Sequence, residues 1–171
     1  MFELARLVGT PPKEIILQTR AGHSIPNTQF CEPDANSRAR YDMIRKPHSW
    51  IHRKPACGVY NCFGLVWANR RTAIYDEQSI SQILNDDGYR KLRIDEQPLP
   101  GDIVIYLRYC DQVRDTYHVG LIVYLIEQRI GGKVPWVLSK WDGVSGEDIH
   151  EIRDVPPSLR DCTIEIWTDR P

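Results

Sequence analysis

The fold is decided by the stretch Asn61-Cys62-Phe63-Gly64-Leu65-Val66-Trp67, which places a cysteine in the first turn of a predicted helix. Asn61 is a favoured N-cap residue, so we expect the helix to begin at Cys62 and to end near Asn69. A thiol at a helix N-terminus lies close to the positive end of the helix dipole and to unpaired backbone N–H groups, which lower its pKa. Gly64 is expected to leave space for a substrate backbone. The pattern favours a nucleophilic Cys62 over a structural one.

A single histidine follows 56 residues later, in the apolar run Tyr117-His118-Val119-Gly120-Leu121-Ile122-Val123. We expect His118 to open a strand, because it stands at the head of this apolar run. Side chains at a strand end commonly face a cleft. An imidazole on a strand next to the predicted helix is suited to accept the proton of a cysteine nucleophile. His118 is therefore the predicted general base.

The period of the apolar residues changes along the chain. The N-terminal 60 residues are poorly periodic, and residues 14–18 read as a short strand or a helical turn. From residue 22 to 58 the chain reads as long loops with a short helix near residues 38–44. A second regular helix fits residues 76–84, capped by Asp76. Buried-type strands are then predicted at residues 103–107, 119–126 and 134–141, with shorter candidate strands at residues 149–152 and 163–167.

Helices followed by strands with short turns indicate an α+β fold with an antiparallel sheet. The length of 171 residues fits one domain, with a loop-rich N-terminal region at residues 1–58 and the catalytic core at residues 59–171. Lysine and arginine number 22 against 23 acidic residues, so the net charge of −1 gives no general attraction to nucleic acid. No apolar run approaches a membrane span, and the N-terminus lacks a signal-peptide pattern, so we expect a cytoplasmic protein without a membrane span. Delivery as a secreted effector is the alternative.

The five cysteines carry no clear disulfide or metal signal. Their odd number argues against a disulfide framework in a chain without a secretion signal. No pair has the tight spacing of a zinc knuckle, so neither a metal nor another cofactor is expected. The cysteines are Cys31, Cys57, Cys62, Cys110 and Cys162.

Three blocks of the sequence together resemble the papain-like hydrolases of the NlpC type, which are related to the CHAP amidases. They are Asn61-Cys62-Phe63-Gly64-Leu65-Val66, Pro100-Gly101-Asp102-Ile103-Val104-Ile105-Tyr106 and His118-Val119-Gly120-Leu121-Ile122-Val123. The resemblance covers residues 60–141. It implies a papain-like core in which the nucleophile helix packs on the antiparallel sheet, with Cys62 as nucleophile and His118 as base. Asn61 and Phe63 depart from the aspartate and serine that are usual in this family.

The resemblance also calls for a third polar residue, usually histidine, asparagine or glutamine, that orients the imidazole. If the strands at residues 119–126 and 134–141 form a hairpin, residues 139–142 lie opposite His118. Ser139 best matches the family register and is the predicted third residue. Asp142 is a better orienter by its chemistry, while Lys140 is more suited to bind substrate. Glu147 and His150 are more distant alternatives.

The predicted function is a cysteine peptidase or amidase that cleaves a peptide or isopeptide bond, for example in a cell-wall peptide, through a thioester acyl-enzyme. The predicted partner is thus a peptide or amide substrate. An acyltransferase or a deamidase would use the same pair of residues. A catalytically silent binding module of the same fold is the third hypothesis, because a classical third residue is missing.

Overall fold

The structure, a computed structural model, describes residues 13–29, 32–110, 113–129 and 131–171. In these ranges three α-helices precede most of the strands: α1 spans Ala35–Arg45, α2 spans Cys62–Trp67 and α3 spans Glu77–Asp86. A short 3-10 helix covers Pro157–Leu159. Cys31, one of the five cysteines, lies outside the described residues. None of the helices in the described ranges is long and apolar enough to cross a membrane.

Within the described residues, seven strands form one sheet. They are β1 (Ile51–Lys54), β2 (Arg90–Lys91), β3 (Ile103–Cys110), β4 (Val113–Glu127), β5 (Lys133–Lys140), β6 (Glu147–Glu151) and β7 (Thr163–Thr168). Their order in the sheet is β1-β6-β5-β4-β3-β7-β2, and all of the neighbouring strands run antiparallel. The predicted α+β class with an antiparallel sheet is therefore confirmed.

Both faces of the sheet are buried, and alternate residues of β3 show this. Ile103, Ile105 and Leu107 pack with Cys62 and Val119 in the cluster that includes α2 and α3, here called the helix face. Val104 and Tyr106 point the other way, into a second cluster that also holds residues of the C-terminal segment; this side is here called the relay face. Two buried faces explain why these strands read as continuous apolar runs rather than alternating ones.

The helix boundaries agree closely with the sequence expectations, whereas the N-terminal region differs from them. α2 begins at Cys62 and ends two residues earlier than expected, and α3 begins one residue after its Asp76 cap. Residues 14–18 form neither a strand nor a helical turn, because only isolated bridges join Lys13 to Gln29 and Gln18 to Ser24. The short helix expected near residues 38–44 is present as α1, whereas the surrounding segment that was expected to be loop also contains β1, which pairs with β6 at the sheet edge.

The position of His118 within its strand was predicted wrongly. β4 begins at Val113, so His118 lies inside the strand rather than at its start. The reason is that β3 and β4 continue pairing beyond the apolar core, as far as Cys110 and Val113. The register of the pair shifts between Tyr106 and Leu107, opposite His118 and Thr116. Such a bulge is a common way of re-aiming a side chain.

Candidate functional site

Asn61 fixes the start of α2 with both ends of its amide. Its Oδ1 accepts hydrogen bonds from the N–H of Gly64 at 2.9 Å and of Ile74 at 3.2 Å, while its Nδ2 donates to the Ile74 carbonyl at 2.5 Å. An aspartate would keep the cap but would lose the donor to the carbonyl of Ile74. This need for a donor gives a physical reason for asparagine rather than aspartate at this position.

Gly64 serves packing rather than substrate access. A Cβ atom on this residue would lie 1.8 Å from the Thr72 carbonyl oxygen, so the polypeptide itself fills the space beside the glycine. The expectation that Gly64 leaves room for a substrate backbone is therefore wrong. The close approach explains instead how a six-residue helix is held tightly against the following loop.

Cys62 is 7% exposed and lies in the helix-face cluster. Burial raises the pKa of its thiol to about 11, against the opposing effect of the backbone N–H groups of Val119 and Phe63 and of its own N–H. The nearby Lys140 charge also favours the thiolate, but less strongly. Desolvation therefore outweighs the helix-start effect that the sequence suggested, and the resting side chain is a neutral thiol.

His118 is 2% exposed and lies on the relay face, between two aromatic rings. The Trp141 ring stacks on it at a centroid distance of 5.4 Å and an angle of 18°, and the Tyr106 ring is tilted against it at 5.4 Å. Burial, and next the His150 charge, lower the pKa of His118 to about 3. The imidazole is consequently neutral at physiological pH and able to accept a proton only when a strong driving force exists.

Ser139 connects His118 to a second buried histidine. The Nε2 atom of His118 lies 3.1 Å from Ser139 Oγ, and the Nε2 atom of His150 lies 2.9 Å from the same oxygen. The other ring nitrogen of His150, Nδ1, lies 2.7 Å from the Glu151 carbonyl oxygen. Ser139 and His150 are both fully buried, and burial lowers the pKa of His150 to about 4.

Gly120 makes room for this arrangement. A Cβ atom there would lie 2.4 Å from Val137 Cγ1 and 2.8 Å from Ser139 Oγ. A side chain at position 120 would therefore push Ser139 away from His118. The glycine of the His-Val-Gly block is thus required by packing on the relay face.

Trp141 is held over His118 by a buried carboxylate. Asp148 is fully buried and accepts hydrogen bonds from Trp141 Nε1 at 3.0 Å, Tyr41 Oη at 2.8 Å and Arg45 Nε at 2.8 Å. Because Tyr41 and Arg45 belong to α1, the N-terminal region contributes to the surroundings of His118 through Asp148 and Trp141. Trp141 also stacks on Trp50, at a centroid distance of 4.4 Å.

The remaining candidates for the third position have other partners. Lys140 is fully buried, and its Nζ donates to the carbonyls of Cys57 and Ser145, so its expected role in binding substrate is not supported by its position. The Asp142 carboxylate accepts from the N–H groups of the following turn and pairs with Arg40 at 3.2 Å. Glu147 is buried against Arg70 and Tyr60.

The structure brings His118 and Ser139 together but leaves Cys62 apart from them. Among the described residues no hydrogen bond joins Cys62 to His118; the sulfur lies instead beside the N–H of Val119, the next residue along β4. Tyr75, which is half exposed, borders Cys62, and the Cys62 and Asp142 charges add to burial in raising its pKa. Sequence reasoning missed Tyr75, since no motif marks it, and placed His150 only as a distant alternative.

No three side chains of metal-ligating types are grouped to hold an ion within the described ranges. The absence of a metal stays a prediction from the cysteine spacing. Comparison with protein-family models, with curated proteins and with solved structures found no match to the chain.

Proposed function

We propose that the chain is a cysteine hydrolase with a papain-like core, in which Cys62 attacks an amide carbonyl and His118 is the general base. The observation that carries this proposal is the bond between His118 Nε2 and Ser139 Oγ, at 3.1 Å, in a buried and aromatic setting. A base that is oriented by a third polar group is the arrangement that nucleophilic catalysis requires. The bond engages one ring nitrogen and leaves Nδ1 as the nitrogen for the proton of the thiol.

The proposed reaction begins from a neutral pair. As the Cys62 sulfur attacks the carbonyl carbon, its proton passes to His118 Nδ1, and the carbonyl oxygen becomes an oxyanion. His118 then returns the proton to the leaving amine nitrogen, so the C–N bond breaks and a thioester remains. Water, losing a proton to His118, attacks the thioester, and His118 returns that proton to the leaving Cys62 sulfur, so the acid is released and the thiol is restored. No cofactor enters these steps.

Cys62 must turn toward His118 for the reaction to start, because the two side chains make no hydrogen bond in the described structure. Catalytic hydrogen bonds are often long without substrate and shorten when it binds. The sulfur already lies beside the backbone N–H of Val119, adjacent to His118 in sequence. Because Cys62 lies on the helix face and His118 on the relay face, a rotation of the Cys62 side chain is not enough, and the bulged segment of β3 and β4 beside His118 must shift as well.

The nucleophile is tested by labelling the whole chain with an activated acyl ester, p-nitrophenyl acetate, and mapping the acylated peptide by mass spectrometry. We expect label on Cys62 in the wild type and none in Cys62→Ala, while Cys57→Ala labels like the wild type. Label that persists in Cys62→Ala, or that is lost in Cys57→Ala, would remove Cys62 as the nucleophile.

The products distinguish hydrolysis from the related chemistries. With peptide and isopeptide libraries, a peptidase releases a new amine and a new carboxylate. A deamidase releases ammonia, and an acyltransferase gives a new amide when a second amine is supplied. We expect hydrolysis to dominate. Ammonia or an amide as the main product would replace the peptidase proposal with the corresponding alternative.

A silent binding module is the second candidate, and one observation favours it. Cys62 is a buried, neutral thiol without a hydrogen bond to His118 in the described structure. A chain of this kind would bind peptides without cleaving them. Failure of Cys62 to acylate under any of the tested conditions, together with saturable peptide binding, would favour the module over the enzyme.

A further inference from the structure

The role of Ser139 raises a difficulty, because a serine hydroxyl is a poor orienting group by itself. Its O–H can rotate, so it can donate to an imidazole or accept from one. If it donates to His118 Nε2, a neutral His118 carries its proton on Nδ1 and cannot accept the thiol proton there. A serine in the third position therefore needs a further group that decides the direction of its hydrogen bond.

His150 fixes the direction of the Ser139 hydrogen bond, because its own tautomer is set by the Glu151 carbonyl, which can only accept. Its Nδ1 lies 2.7 Å from the Glu151 carbonyl oxygen, so Nδ1 carries a proton. Because burial keeps His150 neutral, its Nε2 has a lone pair and accepts from Ser139 O–H at 2.9 Å. Ser139 has only one hydroxyl proton, and this proton is then donated to His150. Its oxygen can only accept from His118 Nε2–H at 3.1 Å, which leaves His118 Nδ1 unprotonated.

We propose that His150 is a positioning residue, which acts through Ser139 to hold His118 in the tautomer whose Nδ1 can accept the Cys62 proton. The direction of the relay runs from the Glu151 carbonyl through His150 and Ser139 to His118. This inference rests on the proposed function, since positioning has meaning only for a base that reacts. Ser139 itself is fully buried and its hydroxyl is engaged on both sides, which argues against a serine nucleophile.

The packing around the relay fixes its geometry. Ser139 and His150 lie on the neighbouring strands β5 and β6, where Ser139 is in register with Asp148 and Val137 with His150. The Trp141 ring contacts both imidazoles, at centroid distances of 5.4 Å from His118 and 4.6 Å from His150. Gly120 provides the space that Ser139 Oγ occupies. The relay therefore depends on three strands and one aromatic ring.

The tautomers can be read directly by NMR of the full chain labelled with ¹⁵N-histidine. There are five histidines, which single substitutions assign. We expect His118 to show a protonated Nε2 and an unprotonated Nδ1, and His150 to show the reverse. A His118 signal with the proton on Nδ1 in the wild type would overturn the relay. This measurement needs no substrate.

Variants at position 150 test the direction of the relay. In His150→Leu the Ser139 hydroxyl has lost its acceptor, so we expect a new population of His118 with Nδ1–H and a fall in the rate of Cys62 acylation of about tenfold or more. His150→Gln, whose amide oxygen can accept from Ser139, should restore most of the rate. His23→Gln, at an exposed histidine, should leave both the His118 tautomer and the rate of Cys62 acylation unchanged. An unchanged His118 tautomer in a folded His150→Leu would contradict the proposal.

The two proposals fail in different ways. If Cys62 does not acylate but His118 has the expected tautomer, the proposed function fails and the hydrogen-bond relay stands as a structural feature. If Cys62 acylates and depends on His118 while the tautomer is the opposite one, the relay is wrong and the hydrolase proposal stands.

Discussion

The two faces of the sheet hold the two proposed reacting groups by different physical means. On the helix face, Cys62 is surrounded by apolar side chains, and the steric fit of Gly64 against Thr72 sets its place. On the relay face, a chain of hydrogen bonds holds His118 through Ser139 and His150. The contrast teaches that packing positions the proposed nucleophile, whereas directional hydrogen bonds position the proposed base, so each face should respond to a different class of mutation.

The largest effect on stability is expected for Gly64→Ala on the helix face. The new Cβ would meet the Thr72 carbonyl oxygen at 1.8 Å, and a backbone atom cannot move aside without displacing the loop. We expect a loss of about 3 kcal/mol or more in the free energy of unfolding, measured by urea denaturation.

Gly120→Ala is the matched variant on the relay face. The nearest obstacles there are side-chain atoms of Val137 and Ser139, which can shift, so the loss should be smaller, about 1–3 kcal/mol. If Gly64→Ala proved as mild as an exposed alanine substitution, the steric account of the helix face would be wrong.

Ser139→Ala should destabilise the relay face by about 2 kcal/mol, because it leaves the Nε2 atoms of two buried imidazoles without a partner. Ser158→Ala, at an exposed serine of the 3-10 helix, is the control and should change stability by less than about 0.5 kcal/mol. Equal, small effects of the two substitutions in urea denaturation would show that the polar relay does not stabilise the fold.

Acid should lower the free energy of unfolding through the two buried histidines of the relay face. His118 and His150 have folded pKa values of about 3 and about 4, below the ordinary value of 6.5. The unfolded chain therefore binds protons that the folded chain does not, so their contribution is intact above about pH 6.5 and is lost as the pH falls. Each histidine should cost about 1.4 kcal/mol per pH unit between pH 6 and its folded pKa.

The slope of stability against pH, measured by urea denaturation in a series of buffers, checks this expectation. The double variant His118→Gln/His150→Gln should have a distinctly shallower slope than the wild type over the same range. Parallel slopes for the two proteins would mean that the histidines are not kept neutral by the fold.

The helix face should tolerate the loss of its thiol. Cys62→Ala removes one buried sulfur that makes no side-chain hydrogen bond to His118, so we expect a loss of only about 1 kcal/mol. Its stability should remain well above that of Gly64→Ala in the same urea series. A loss as large as that of Gly64→Ala would instead assign Cys62 a mainly structural role.

Local signals in the sequence predicted the fold class and most elements. Asn61 and Asp76 mark the starts of α2 and α3 because a capping side chain acts within three residues. The apolar runs likewise predicted β3, β4, β5 and β7 within a few residues, apart from the extension of β4. Edge strand β1 has no apolar signal, since all four of its residues are exposed.

The candidate site could be predicted only in part, because its remaining features depend on tertiary contacts. Ser139 follows from strand register, and the structure places it against His118. The bond from Ser139 to His150 joins two strands across a turn, and no periodicity reveals such a contact. The dipole argument for Cys62 was overturned by burial, a quantity that a helix cap in the sequence does not encode.

The most direct test of the central claim measures whether the two faces cooperate. The rate of Cys62 acylation by p-nitrophenyl acetate at pH 7.5 is compared between the wild type and His118→Gln, with folding checked by near-ultraviolet circular dichroism. General-base catalysis predicts a rate about 100-fold lower in the variant. An equal rate in a folded His118→Gln would contradict the account, since Cys62 would then react without the histidine on the opposite face.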